Sequence, residues 1–155
     1  TVRDFNLEQF ARPLVGRSVQ VNSVIFSERD WLQNQQTKAK ANLLVFPDRK
    51  KIVNYIGANR YIAYGEEIGI NNGYKTRIRD DWFVIPSIKL SDAFFVRRNN
   101  LFPRLILNEA NTYTSDTMHR VFIKPQTDKR AFIASFYNSL FFPHVFGQIV
   151  RACQL

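Results

Sequence analysis

The sequence predicts a mixed α/β fold of the α+β kind: a single domain in which a mixed or antiparallel sheet is flanked by a few helices. Three observations lead there. Short apolar runs at 93–96, rich in phenylalanine, and at 104–108, polar at both ends, are bounded by turn formers, as strands are. The stretches from Asp48 and from Asp128 instead space apolar residues at three- and four-residue steps, the helical period. The 155 residues carry no internal repeat, low-complexity tract or linker, and that length can bury the core of one domain, taken as 1–155.

In chain order, residues 1–17 read as a short helix and a turn, with Pro13 as an interruption. Val19, Val21 and Val24-Ile25-Phe26 read as a strand over 18–26, after which Ser27 N-caps a short helix docked by Trp31 and Leu32. Residues 42–46 form a strand that Pro47 ends. Asp48 caps a helix through the sixties, with Ile52, Tyr55, Ile56, Asn59, Ile62 and Ala63 at helical spacing, Gly57 as a weak point and Gly65 at its end. Gly-Ile-Asn-Asn-Gly at 69–73 is turn chemistry. Strands are expected at 82–85, 93–96, 104–108 and 120–124, with a polar loop at 111–116. Asp128 caps a last helix whose stripe is Phe132, Ile133, Phe136, Tyr137 and Leu140, and 141–155 has no assignment.

Charge supplies the first functional indication. Twenty-two Lys+Arg against thirteen Asp+Glu give +9, which favours an anionic partner such as nucleic acid, a membrane surface or an acidic protein. No apolar stretch is long enough to span a bilayer and no secretory leader is visible, so an intracellular, soluble, cytoplasmic protein is expected, with no membrane partner. Cys153 is the only cysteine, which excludes an internal disulfide and a cysteine-rich zinc site. The chain begins at Thr1 and its one methionine is Met118, so a segment of a longer protein is expected.

Lys75, Arg77 and Arg79 stand at alternate positions; in an extended segment they form one row, a spacing suited to a polyanion backbone. The competing explanation is a charged edge strand that resists aggregation. Catalytic parts are missing. There is no glycine-rich phosphate loop and no GxGxxG, and His119 and His144 stand apart without motif partners. The acid pairs Glu66-Glu67 and Asp80-Asp81 are adjacent residues, which point apart. No catalytic, cofactor-binding or metal-ligating residue is therefore assigned.

Gly73-Tyr-Lys-Thr-Arg-Ile-Arg-Asp-Asp-Trp-Phe-Val-Ile-Pro86 resembles the K-x-R-x-R-x-x-W-Y-x-V-P segment that follows the catalytic domain of amino-methylating adenine DNA methyltransferases of restriction–modification systems. Pro103-Arg-Leu-Ile-Leu-Asn108 and Thr114-Ser-Asp-Thr-Met-His-Arg-Val121 are similar to later segments of that family, as are Arg12-Pro-Leu-Val-Gly-Arg-Ser18 and Tyr61-Ile-x-x-Gly65-Glu66 upstream. The likeness covers roughly residues 10–140 in the family's order and departs at Phe141-Phe-Pro-His-Val-Phe146, where a glycine-rich stretch would follow. It implies a target-recognition domain that binds double-stranded DNA. The catalytic domain would lie in the same polypeptide, holding S-adenosylmethionine and an Asn/Asp-Pro-Pro-Tyr/Phe motif; no Pro-Pro dipeptide occurs here.

On that basis phosphates are assigned to Lys75, Arg77, Arg79, Arg97 and Arg98, which position a duplex without reading it. Base edges are assigned to bidentate groups such as Asn108, Asn111 or an arginine, with Thr114, Ser115, His119 and Arg120 completing the surface. Each has a plainer alternative: Asn108 turning the chain, His119 a structural or phosphate-proximal residue, Trp82 a core residue and not a stacking platform. An RNA-binding module and a protein-interaction domain built on the apolar C-terminal segment are the rival functions.

Overall fold

The computed structural model describes residues 1–37, 39–99 and 101–152, and for 142–152 the backbone alone. Its architecture is α+β, as expected, with two mixed sheets and four helices among the described residues.

The N-terminal stretch corrects the first expectation. A 3-10 turn at Glu8–Phe10 leads into β1 (Ala11–Val15), with no α-helix before it. β1 keeps Pro13 because it changes partner there. Residues 11–13 pair antiparallel with β3 (Asn42–Leu44), and Leu14 and Val15 pair parallel with β6 (Tyr113–Thr114). A proline without an N–H is tolerated where the ladder is interrupted.

The strand expected over 18–26 shrinks to β2 (Ile25–Phe26). Residues Ser18–Gln20 form a 3-10 turn, because the Gln20 Oε1 accepts from the N–H groups of Gly16 and Arg17 at 2.8 and 2.7 Å. That side chain offers the backbone a local partner in place of a strand, and Val19 is left 77% exposed. Ser27 caps α1 (Glu28–Gln36) as expected, in a reciprocal box with Asp30. Trp31 docks α1, its Nε1 donating to Ala41 O at 2.8 Å, whereas Leu32 is exposed.

Asp48 caps a short α2 (Arg49–Ile52), and a separate α3 (Ile56–Glu67) follows. Of the expected stripe, Ile52 and Ile62 are buried while Tyr55, Ile56 and Ala63 face outward. α3 runs through both glycines because each is a point of close approach: a Cβ at Gly57 would lie 1.9 Å from Phe5 O, and one at Gly65 would lie 2.4 Å from the Trp82 ring. The strand expected at 82–85 is absent. Trp82 and Phe83 belong to a turn, and Phe83 joins Leu7, Phe10, Phe46, Ile52, Ala58 and Ile62 in one core cluster with Trp82 packed against it.

The remaining strands form a four-stranded sheet ordered β2-β5-β4-β7, with β4 (Ala93–Val96), β5 (Leu105–Asn108) and β7 (Met118–Val121). β7 begins two residues earlier than expected and lies at an edge. The β2/β5 pair is parallel and the others antiparallel. The two-residue period of β4 and β5 separates two cores. Phe94, Val96 and Ile106 pack with Val15, Val21, Phe26 and Met118 on one face. Ala93, Leu105 and Leu107 pack with Ile133 on the other, where Phe136 and Tyr137 also rest. A strand apolar on both faces marks the middle of a covered sheet, and all four residues of β5 are buried.

The last helix, α4 (Lys129–Ala152), is capped by Asp128, whose Oδ1 accepts from Ala131 N at 2.8 Å. It continues through Pro143, so residues 141–152 have a helical assignment, while 153–155 lie outside the described residues. Phe132 of the expected stripe is 39% exposed. Tyr137 completes β5 in place of a strand neighbour: its hydroxyl accepts from Leu105 N at 3.1 Å and donates to Leu105 O at 2.9 Å. Tyr137→Phe should leave both of those groups, on a residue only 3% exposed, without partners. A loss of about 2 kcal/mol in chemical denaturation is expected, with an unchanged m-value.

Candidate nucleic-acid interface

The segment carrying Lys75, Arg77 and Arg79 is not extended, so the alternating row does not form. Residues 74–78 are turns wound around Thr76, whose hydroxyl donates to Ile70 O at 2.7 Å, with Gly73 O and Asn71 O also close at 2.9 and 3.2 Å. The three cations consequently diverge. Lys75 Nζ reaches Asp116 Oδ2 at 3.1 Å, and the Arg77 guanidinium lies 5.7 Å over the Tyr74 ring. Arg79 turns inward, and its Nη1 donates to Trp82 O and Val84 O, both at 3.3 Å. Arg79 thus braces the turn that seats Trp82 and Phe83.

A second set of cations gathers where β4 ends. Arg97 Nη1 donates to Asp116 O at 2.8 Å, so Asp116 holds Arg97 with its carbonyl and Lys75 with its carboxylate. The Lys75 hydrogen bond, helped by the charge of Arg97, holds the Asp116 carboxyl below the usual carboxylate range, and it stays ionised at neutral pH. Two clefts meet here. One, of about 570 Å³, is lined by Arg17, Ser18, Val19, Arg97, Arg98, Asp116 and Thr117. The other, of about 610 Å³, shares Arg97 and Asp116 and adds Thr114, Ser115, His119 and Arg120, with Pro86, Ser87 and Phe122 on its wall.

The parallel pairing of Val15 with Thr114 builds this junction. It sets the turn after β6 against the end of β1, where hydroxyls pin it: Thr114 Oγ1 to Val15 O at 3.2 Å, Ser115 Oγ and Thr117 Oγ1 to Gly16 O at 2.8 and 3.0 Å. His119 is exposed on edge strand β7. Arg120, also exposed, donates to Ser87 O at 2.8 Å, and Ser87 adopts a left-handed φ of 56°.

Asn108 and Asn111 are not part of this junction. Asn108 N bonds Asp92 O at 2.9 Å, before β4 begins, whereas Arg97 follows its end. Five residues of extended chain separate those points by roughly 16 Å. Asn108 is 6% exposed and its carboxamide is fully used. Nδ2 donates to Ser91 O and Thr112 O, both at 2.9 Å, and Oδ1 accepts from Thr112 N and Oγ1, both at 3.0 Å. The plainer sequence reading, a residue that turns the chain, describes it. Asn111 is exposed at a φ of 49° and lines a separate cleft with Glu109, Asp128, Lys129 and Arg130.

Arg17 and Thr117 complete the basic cleft without having been singled out from the sequence. No local spacing links them to Arg97: the β4–β7 pairing of Val96 with Met118 brings Thr117 beside it and the β1–β6 pairing brings Arg17, although both residues lie within segments that carry the family likeness. Among the described residues no helix is long and apolar enough to cross a membrane, and no group of three or more His, Cys, Asp or Glu is placed to hold a metal ion.

A basic α+β domain with a cation-lined groove at one end of its larger sheet is the class of protein these features define. The chain belongs to the family described as type II methyltransferase M.Eco57I, C-terminal domain, whose sequence model matches residues 1–144. That bears out the resemblance to the region following a methyltransferase's catalytic domain. No curated protein and no solved structure matched the chain.

Proposed function

We propose that this domain binds double-stranded DNA as the target-recognition part of an adenine-specific restriction–modification methyltransferase. It presents the duplex to a catalytic domain of the same polypeptide, where S-adenosylmethionine is held. The observation that carries this reading is the convergence of Arg17, Lys75, Arg97, Arg98, His119 and Arg120 on two clefts that meet at Asp116, in a chain of net charge +9. Long cations spread along a groove suit a phosphate backbone, and the neighbouring hydroxyls of Thr114, Ser115 and Thr117, whose hydrogens go to Val15 O and Gly16 O, keep lone pairs for donors on polar edges. Arg79 and Asn108 are left out of the contact set because their polar groups are engaged inside the fold.

The test is fluorescence anisotropy with a randomised duplex pool across a salt series, followed by sequencing of the bound fraction. Steep salt dependence with an enriched motif is the expected result. Steep dependence without enrichment would leave a backbone binder, and preference for single-stranded RNA in competition would favour the RNA module. No binding at low salt would sink the reading.

A further inference from the structure

Resting on the duplex-binding reading above, we propose that the loop bearing Tyr74 and Ile78 is a stacking finger for bases that have lost a stacking partner in the bound duplex. Tyr74 is 75% exposed and Ile78 71%, both on the one turn that also carries Lys75 and Arg77. This is not a slack segment. Besides the hydrogen bond from the Thr76 hydroxyl to Ile70 O, the N–H groups of Thr76 and Arg77 both bond Gly73 O, at 3.0 and 2.9 Å. A braced turn therefore holds an aromatic and an aliphatic side chain out in solvent.

Position and charge identify the occupant. Lys75, between the two, reaches Asp116 at the junction of the clefts, so the finger stands at the lip of the groove. Arg77 lies over the Tyr74 ring, so ring and cation form one platform. An aromatic face flanked by cations fits a base attached to a phosphate chain, and such stacking tolerates any base. A fully stacked duplex offers no base face, so the finger fits only where a step has opened.

The experiment uses one short duplex sequence in two forms, fully paired and with 2-aminopurine opposite an abasic site. The wild-type chain is expected to bind the second form about tenfold more tightly and to quench its fluorescence, the effect of one stacked base. Tyr74→Ala should abolish both the preference and the quenching while keeping the affinity and salt slope for the paired form; Ile78→Ala should reduce the preference and Tyr74→Phe retain it. If Tyr74→Ala keeps the preference and the quenching, the finger is overturned and the duplex reading stands; the exposed ring would then belong to a protein contact. If the wild type binds neither form at low salt, the duplex reading falls and the finger with it.

Discussion

Asn108→Ala is expected to cost the domain on the order of 3–5 kcal/mol while leaving the salt dependence of DNA binding by the folded fraction unchanged. The carboxamide stitches the end of β5 to Ser91 on one side and Thr112 on the other through four hydrogen bonds of 2.9–3.0 Å. Ser91 and Thr112 are themselves buried, at 6% and 0% exposure. Alanine would leave two carbonyls, one N–H and one hydroxyl without partners where little water reaches, each costing about 1–3 kcal/mol before relaxation. The consequence reaches the groove only indirectly, because Thr112 leads into β6 and so into the turn that Ser115 and Thr117 fasten to Gly16. Denaturant unfolding followed by binding on the folded fraction measures both parts. A small change in stability with an altered sequence preference would instead restore Asn108 as a reader of bases.

Asn108 illustrates which parts of this molecule a sequence discloses. The strand ending in it was legible because Leu-Ile-Leu is apolar on both faces, and β4, α1 with its Ser27 cap and the start of α4 were legible from equally local signals. The helical glycines were misjudged because propensity counts the missing side chain as a loss, while the fold uses it to admit Phe5 O and the Trp82 ring. The basic row failed for a related reason. Alternation of Lys75, Arg77 and Arg79 implies one face only if the backbone is extended, and the Thr76 hydroxyl bond to Ile70 O, with the Thr76 and Arg77 N–H bonds to Gly73 O, winds it into a turn. The groove itself is a product of topology. Arg17 and Thr117 are a hundred residues apart in the chain, and the β1–β6 pairing that joins them has no short-range signature. What the sequence did carry was the charge, the candidate cations Arg97, Arg98 and Lys75, and the family.

The double variant Arg97→Ala/Arg98→Ala should weaken duplex binding on the order of a hundredfold near physiological salt and flatten the log–log salt dependence by about 1.8 units, two phosphate contacts at about 0.9 each. Both residues are exposed and follow β4 directly, so a rigid strand sets their position. Arg97 also holds Asp116 O, and Arg98→Ala alone therefore separates the phosphate contact from any loosening of the β6–β7 turn; a slope change of about one unit is expected for it. Arg79→Ala is the control with the opposite signature. Its guanidinium is bonded to Trp82 O and Val84 O, so removing it should lower stability and leave the slope of the folded protein intact. Were Arg79→Ala to flatten the slope and the double variant to leave it unchanged, the phosphate path would run along the 74–79 turn, and the cleft between Arg17 and Arg98 would lose its part in binding.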